Sequence, residues 1–167
     1  MRILLDTNVL LDVLLEREPW REPAQAIWRA SEEGQIRCYV TASSLTDVYY
    51  LSCAHIRRFG RPETDGRQII RDCLDSLSIL AVGRDDLERA YQLGGPDLED
   101  DLQIACASHH SLDAIVTRDP GGFSGCSTPI YSPQEFLNHL GRPSASGDTS
   151  DLLDPEQRLG EPPEAQP

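Results

Sequence analysis

Four short apolar runs, separated by amphipathic stretches, restrict what this chain can fold into. RILL at 2–5, RCYV at 37–40, SILAV at 78–82 and DAIVT at 113–117 are the length of buried strands rather than of helices. A weaker fifth run lies at 129–131. Helical patterns fall between them, at about 8–16, 23–33, 44–59, 64–76, 85–93, 98–110 and 133–140. Strands that alternate with helices cannot be joined by tight hairpins, so they need βαβ crossovers and a parallel sheet. The expected class is α/β: a central parallel sheet of four to five strands flanked by helices. Two boundaries carry physical marks. Gly94-Gly95-Pro96 stops one helix before an acidic one begins, and Ser132-Pro133-Gln134-Glu135 reads as a capping box with proline at the first helical position.

The 167 residues suffice for one domain with a real core. Its boundary is expected near residue 142. Residues 143–167 change to Pro, Ser, Gly and acid and hold six acids against one arginine. That segment lacks the apolar area to offset its ordering entropy, so it is expected to be disordered. The first apolar run is too short for a signal peptide or a membrane span, which leads to the expectation of a cytoplasmic protein. Five cysteines without a C-x-x-C read as buried reduced thiols. All fifteen basic residues are arginine. Without lysine there is no Walker A loop, no Schiff-base enzyme and no kinase strand lysine.

The stretch DLEDDLQIACA, at 97–107, sets four acids in five positions ahead of an apolar run. A helix N-terminus welcomes carboxylates through capping and its dipole. A cluster of oxygen donors is also what a hard metal ion takes. Three further acids lie where strands end or the next helix begins: Asp6, Asp47 and Asp119. Ligands of open α/β sheets bind at those carboxyl ends. Each acid also has a plainer role. Asp47 can answer Ser44 in a capping box, Asp97 can be an N-cap with Asp100 at its third position, and Asp119 before Pro120 can start a turn. Asp6 is hardest to explain that way, because an acid closing a buried strand needs something to offset its desolvation.

LLDTNVLLDVLL, TASSLTDVYYL, DLEDDLQIACA and DAIVTRDPGGF, in that order, resemble the PIN-domain family of metal-dependent ribonucleases, most of all its bacterial VapC-like toxin branch. The resemblance covers residues 2 to about 140. It implies a PIN-like three-layer αβα fold and Mg²⁺- or Mn²⁺-dependent hydrolysis of RNA phosphodiesters. It also implies a small antitoxin protein as partner and a homodimer. By position, Asp6 matches the family's first metal-binding acid, with Asn8 as its polar neighbour. Asp47 matches the second, more often glutamate; Asp100 the third; and Asp119 the acid after the last main strand, with Thr117 in place. Asp97 shares a helical face with Asp100 and is the alternative there. The Pro-Gly-Gly-Phe after Asp119 lacks the further acid of many relatives, so a second ion is expected to be weakly held.

The net charge of −13 discourages simple phosphate binding, so RNA needs a local path. Residues 55–71 are the window with a positive excess, and Arg57, Arg58, Arg61, Arg67 and Arg71 are the candidate RNA contacts. The same arginines also fit a plain solvated helix surface. The histidines at 55, 109, 110 and 139 fit no ligand spacing with the acids and read as structural or surface residues. Two other classes stand beside the nuclease. A haloacid-dehalogenase-type phosphatase needs an acid where Asn8 stands, and a lysine. A non-catalytic PIN fold would keep its acids for stability or for binding RNA or protein.

Overall fold

The expected alternation becomes five strands: β1 (Arg2–Leu5), β2 (Arg37–Thr41), β3 (Ser78–Leu80), β4 (Ala114–Val116) and β5 (Ile130–Tyr131). The structure is a computed structural model and describes residues 1–59 and 65–141. The sheet order is β3-β2-β1-β4-β5 and every neighbouring pair is parallel. Helices α1 (Thr7–Leu14) and α2 (Arg21–Glu32) join β1 to β2, and α3 (Ala42–Phe59) and α4 (Gly66–Ser76) join β2 to β3. Helices α5 (Arg84–Leu93) and α6 (Leu98–His109) cross back to β4. A 3₁₀ turn at Pro120–Phe123 then leads to β5, and α7 (Pro133–Leu140) follows.

Side-chain alternation along the strands builds two cores. Ile3, Leu5, Cys38, Val40, Ala114 and Val116 point to one face, against α1 to α4 and Phe136 of α7. Leu4, Leu80 and Ile115 point to the other, against Ala90 of α5 and the apolar side of α6. Both faces are covered, which is why the strands read as continuous apolar runs rather than as alternating ones. The result is three layers, helix on sheet on helix.

Strand β3 ends at Leu80 rather than 82 because its pairing with β2 runs only from Tyr39↔Ser78 to Thr41↔Leu80, where β2 itself stops. Helix α3 begins at Ala42, two residues before the expected start. Thr41 Oγ1 accepts from the Ser44 amide at 3.0 Å, taking the capping role expected of Ser44. Asp47 is thereby not the return half of a capping box. Gly94, with φ of +65°, ends α5 in the left-handed conformation that glycine adopts without strain. The cysteine thiols are free, and burial pushes those of Cys38, Cys73 and Cys106 up to about 11, 12 and 11. No helix among the described residues is long and apolar enough to cross a membrane. The segment expected to be disordered, 143–167, lies outside the described residues.

The strand order reverses between β1 and β4. In open α/β sheets that crevice, at the carboxyl ends of the strands, is where ligands bind.

Candidate active site

Asp6 follows β1 directly and heads α1, and its amide donates to Val116 O of β4 at 3.0 Å. The acid therefore stands in the crevice between the two strands, 5 % exposed. Its carboxylate is held by neutral groups from three elements. Thr117 Oγ1, just past β4, donates to Oδ2 at 2.6 Å, and Asn8 Nδ2 donates to the same oxygen. Gln103 Nε2, from the second turn of α6, donates to Oδ1 at 3.1 Å. Asn8 also receives the Arg118 amide on its Oδ1 at 3.2 Å, and Thr117 Oγ1 receives the Asp119 amide at 2.9 Å. Asn8 and Thr117 thus tie the β1 and β4 ends together around Asp6.

The acidic start of α6 splits into separate roles. Asp97 is the N-cap, taking the Glu99 amide at 2.8 Å, and is exposed. Glu99 turns into the crevice, where one oxygen accepts from Thr7 Oγ1 at 2.6 Å, Ser44 Oγ at 3.3 Å and Gln103 Nε2 at 3.3 Å. Burial raises the Glu99 pKa, the Thr7 bond opposes this, and the charges of Asp47 and Asp6 raise it further. Asp100 lies against the 3₁₀ turn, where a Cβ on Gly122 would run into its carboxylate. Its pKa is raised to about 6, first by burial and then by the charges of Asp6, Asp97, Glu99 and Asp119. Asp101 points elsewhere: it is 4 % exposed and accepts from the Gly95 amide at 2.8 Å, bracing the loop before α6.

Asp6, Asp97, Glu99 and Asp119 are therefore close enough to raise the pKa of Asp100, and Asp6 and Asp47 close enough to raise that of Glu99. Asp119 also plays its plainer part, accepting from the Gly121 amide at 3.2 Å as the cap of the 3₁₀ turn. Glu99, Gln103, Thr7 and Ser44 are the members that motif reasoning missed. Gln103 was the available signal: it is a polar residue inside an apolar helical run, four positions after Glu99 and so on the same face.

None of the ion pairs among the described residues involves these acids. The charged groups brought together in the crevice are carboxylates, and no ion pair among the described residues relieves their mutual repulsion. The chemistry of this donor set fits a hard divalent ion. The arrangement is not a finished cage, since no three His, Cys, Asp or Glu side chains among the described residues form a ready ligand group. The reason is local: hydroxyl and amide donors draw Asp6 and Glu99 onto themselves, and like charges keep the acids apart.

The candidate arginines lie away from the crevice. Arg57 and Arg58 are exposed in the last turn of α3, ten residues and about 15 Å along the helix from Asp47. Arg67 and Arg71 are exposed on α4, where Arg71 stands 3.8 Å from Asp75. Arg61 lies outside the described residues. His109 pairs with the buried Asp86 at 2.7 Å, and His139 stacks on Tyr131, both outside the site.

Solved structures with this fold include a toxin–antitoxin complex from Klebsiella pneumoniae, at TM-score 0.57 and 22% identity over 78% of this chain and 97% of that one. The DNA-bound VapBC of Salmonella typhimurium matches at 0.58 and 14%, over 80% and 98%. The Mycobacterium tuberculosis toxin VapC20, described as cleaving the sarcin-ricin loop, matches at 0.55 and 14%, over 68% and 86%. No curated protein matches the sequence. The PIN domain family model matches residues 2–120, spanning β1 through the start of the 3₁₀ turn and with it every acid of the crevice. The chain belongs to the PIN-domain family.

Proposed function

We propose that this protein is a metal-dependent endoribonuclease, the toxin of a toxin–antitoxin pair. The observation that carries the reading is the uncompensated acid cluster at the switch point of the sheet, where Asp100 is pushed up to about 6 first by burial and then by the neighbouring acids. Asp6, Asp100 and Asp119 would hold Mg²⁺ or Mn²⁺, with Asp47 and Asp97 at the margin. Glu99, bound by Thr7, Ser44 and Gln103, belongs to the same set. Bound there, the ion supplies a water of lowered pKa as nucleophile and offsets charge on the phosphoryl oxygens. The protein's own contribution is positional. Asn8, Thr117 and Gln103 donate to Asp6 and keep it aimed into the crevice. Without a cation the acids repel RNA phosphate, so the same charge balance governs substrate binding.

The toxin reading draws on the similar structures, which are toxins and toxin–antitoxin complexes. It brings with it a small antitoxin partner, a homodimer, action in the cytoplasm and a nuclease domain ending near residue 142. Incubating the purified protein with single-stranded RNA and Mg²⁺ or Mn²⁺ tests the activity. Cleavage that stops with EDTA and is lost in Asp6→Asn is the expected result. Intact RNA with either ion would leave a non-catalytic binding module.

A further inference from the structure

Outside the acid cluster, two arginines and an exposed tryptophan gather around one carboxylate of α1. Asp12 is fully buried, one helical turn beyond Asn8 and so about 6 Å from it. Its Oδ2 lies 3.2 Å from Arg118 Nε, in an approach not aligned as a hydrogen bond. Arg17 shares the same carboxylate, feeling its attraction and the repulsion of Arg118. Arg118 and Arg17 are the two positive charges acting on Asp12, and Asp6 is a negative one.

Arg118 is also fixed by stacking, with Cζ 4.2 Å from the centre of the Trp20 ring. Its amide is tied to Asn8 and its chain neighbours are Thr117 and Asp119. The two terminal nitrogens of Arg118 are neither buried nor hydrogen-bonded among the described residues. Trp20 remains 45 % exposed although the guanidinium covers one of its faces. An arginine held from behind and from the side, with its donor fork free, loses little freedom on meeting a phosphate.

We infer that Trp20 and Arg118 form a nucleotide subsite beside the acid cluster, Arg118 taking a phosphate of single-stranded RNA and Trp20 stacking a base. The inference rests on the nuclease reading for its substrate class. Asp12 is a positioning residue: it holds the guanidinium and does not touch RNA. A single strand is specified because a base inside a duplex has no free face for the ring. In a chain of charge −13, Arg118 is a cation placed between two residues of the crevice, Thr117 and Asp119.

The chain has two tryptophans, and Trp28 is 9 % exposed with its Nε1 bonded to Glu32, so quenching of emission reports on Trp20. The probe is a single-stranded RNA of about ten nucleotides, mixed with the protein and Mg²⁺ by stopped flow so that quenching on binding is read before cleavage. Wild-type emission should be quenched, and the same RNA as a duplex should quench far less. Trp20→Ala should weaken binding about tenfold, a stacking loss of the usual size, and Trp20→Phe should restore most of it. Arg118→Lys keeps the charge beside Asp12 but loses the fork, and should weaken binding and flatten its salt dependence. With Mg²⁺ or Mn²⁺ present, the loss in Trp20→Ala should fall on KM rather than kcat. If Arg118→Lys does not fold, the two Trp20 variants decide alone. Unchanged affinity and KM in both Trp20→Ala and Arg118→Lys, with cleavage intact, would overturn the subsite and leave the nuclease standing. Quenching without cleavage by the wild type would do the reverse. A wild type that neither binds nor cleaves RNA removes both.

Discussion

Asp6 and Asp12 are six residues apart, both buried, and differ in what surrounds them. Asp6 is wrapped by Thr117, Asn8 and Gln103, all neutral donors. Asp12 faces Arg118 and Arg17, with no hydrogen bond to either oxygen. Neutral donors satisfy a carboxylate's lone pairs and leave its charge uncancelled. An arginine cancels the charge and spends it on holding two elements together. The first region keeps negative potential for something that arrives; the second has consumed it internally. Burial alone therefore does not mark a functional acid, and the kind of partner does.

The sharpest break of this contrast is Asp6→Asn, which removes the charge while keeping the shape. RNA cleavage should fall by at least ~100-fold, since a hard cation loses an anionic ligand. The stability loss should be small, because the Gln103 amide can turn its unpartnered Oε1 toward the new amide. Activity assays alongside thermal unfolding check the pair of expectations. A large drop in melting temperature with cleavage retained would place Asp6 in the same structural class as Asp12.

Asp100 tests whether the uncancelled charge has the cost it implies. Its folded-state pKa of about 6 lies above the ordinary value of 3.8. Between those values the folded state binds more protons than the unfolded one, so stability falls as pH rises from about 4 to about 6 and stays lower above. In metal-free protein, Asp100→Asn should remove part of that decline and be the more stable protein at pH 7. The same variant should lose cleavage as Asp6→Asn does. Asp101→Asn, on the opposite side of α6, should leave cleavage near wild type. Urea unfolding at several pH values, with chelator, measures the first effect. A pH profile that Asp100→Asn leaves unchanged would show that neither burial nor the neighbouring acids disfavour its charge.

Asp12→Asn is the converse experiment. Burial holds the Asp12 carboxyl up at about 6 against the pull of Arg118 and Arg17, so shedding that charge offsets part of the lost attraction, and the net cost should be about 2 kcal/mol, below the usual loss for a broken buried pair. For a domain of this size that is a fall of about 4–8 °C in melting temperature. Below the new midpoint, kcat should stay near wild type.

Much of this was legible in the chain, and the illegible part has a physical reason. The strands, the crossovers and the acids at strand ends follow from patterns of period and position, which are local. The pairing of Asp12 with Arg118 spans 106 positions and joins two residues that each look like ordinary surface charges in sequence. Glu99 was hidden differently: beside Asp97, Asp100 and Asp101, composition cannot say which carboxylate turns inward. Helix phase decides it, and phase follows from Asp97 being the N-cap. Gln103 then lies one turn after Glu99, facing Asp6. A turn starting at Asp119 was legible, but its 3₁₀ form over Pro120–Phe123 was not, because Asp-Pro-Gly-Gly fits several turn types equally well.

The smallest expected effect concerns the arginines that composition favoured. Residues 55–71 carry the positive excess, but Arg57 and Arg58 stand about 15 Å along α3 from Asp47, and Arg71 already shares its charge with Asp75. A screened interaction over that distance in physiological salt exceeds the Debye length of about 8 Å. These side chains can touch only a distal part of a strand, not the phosphate at the crevice. Changing Arg57, Arg58 and Arg67 together to alanine should therefore weaken RNA binding only about two- to threefold. It should lower the salt slope by less than one unit per arginine lost. Cleavage of a strand of about ten nucleotides should be unchanged, and only longer RNAs should reveal the difference. Measuring affinity against salt for short and long RNAs separates the cases. A tenfold loss on the short strand would move the main RNA path from the Trp20–Arg118 side of the molecule to the α3–α4 side.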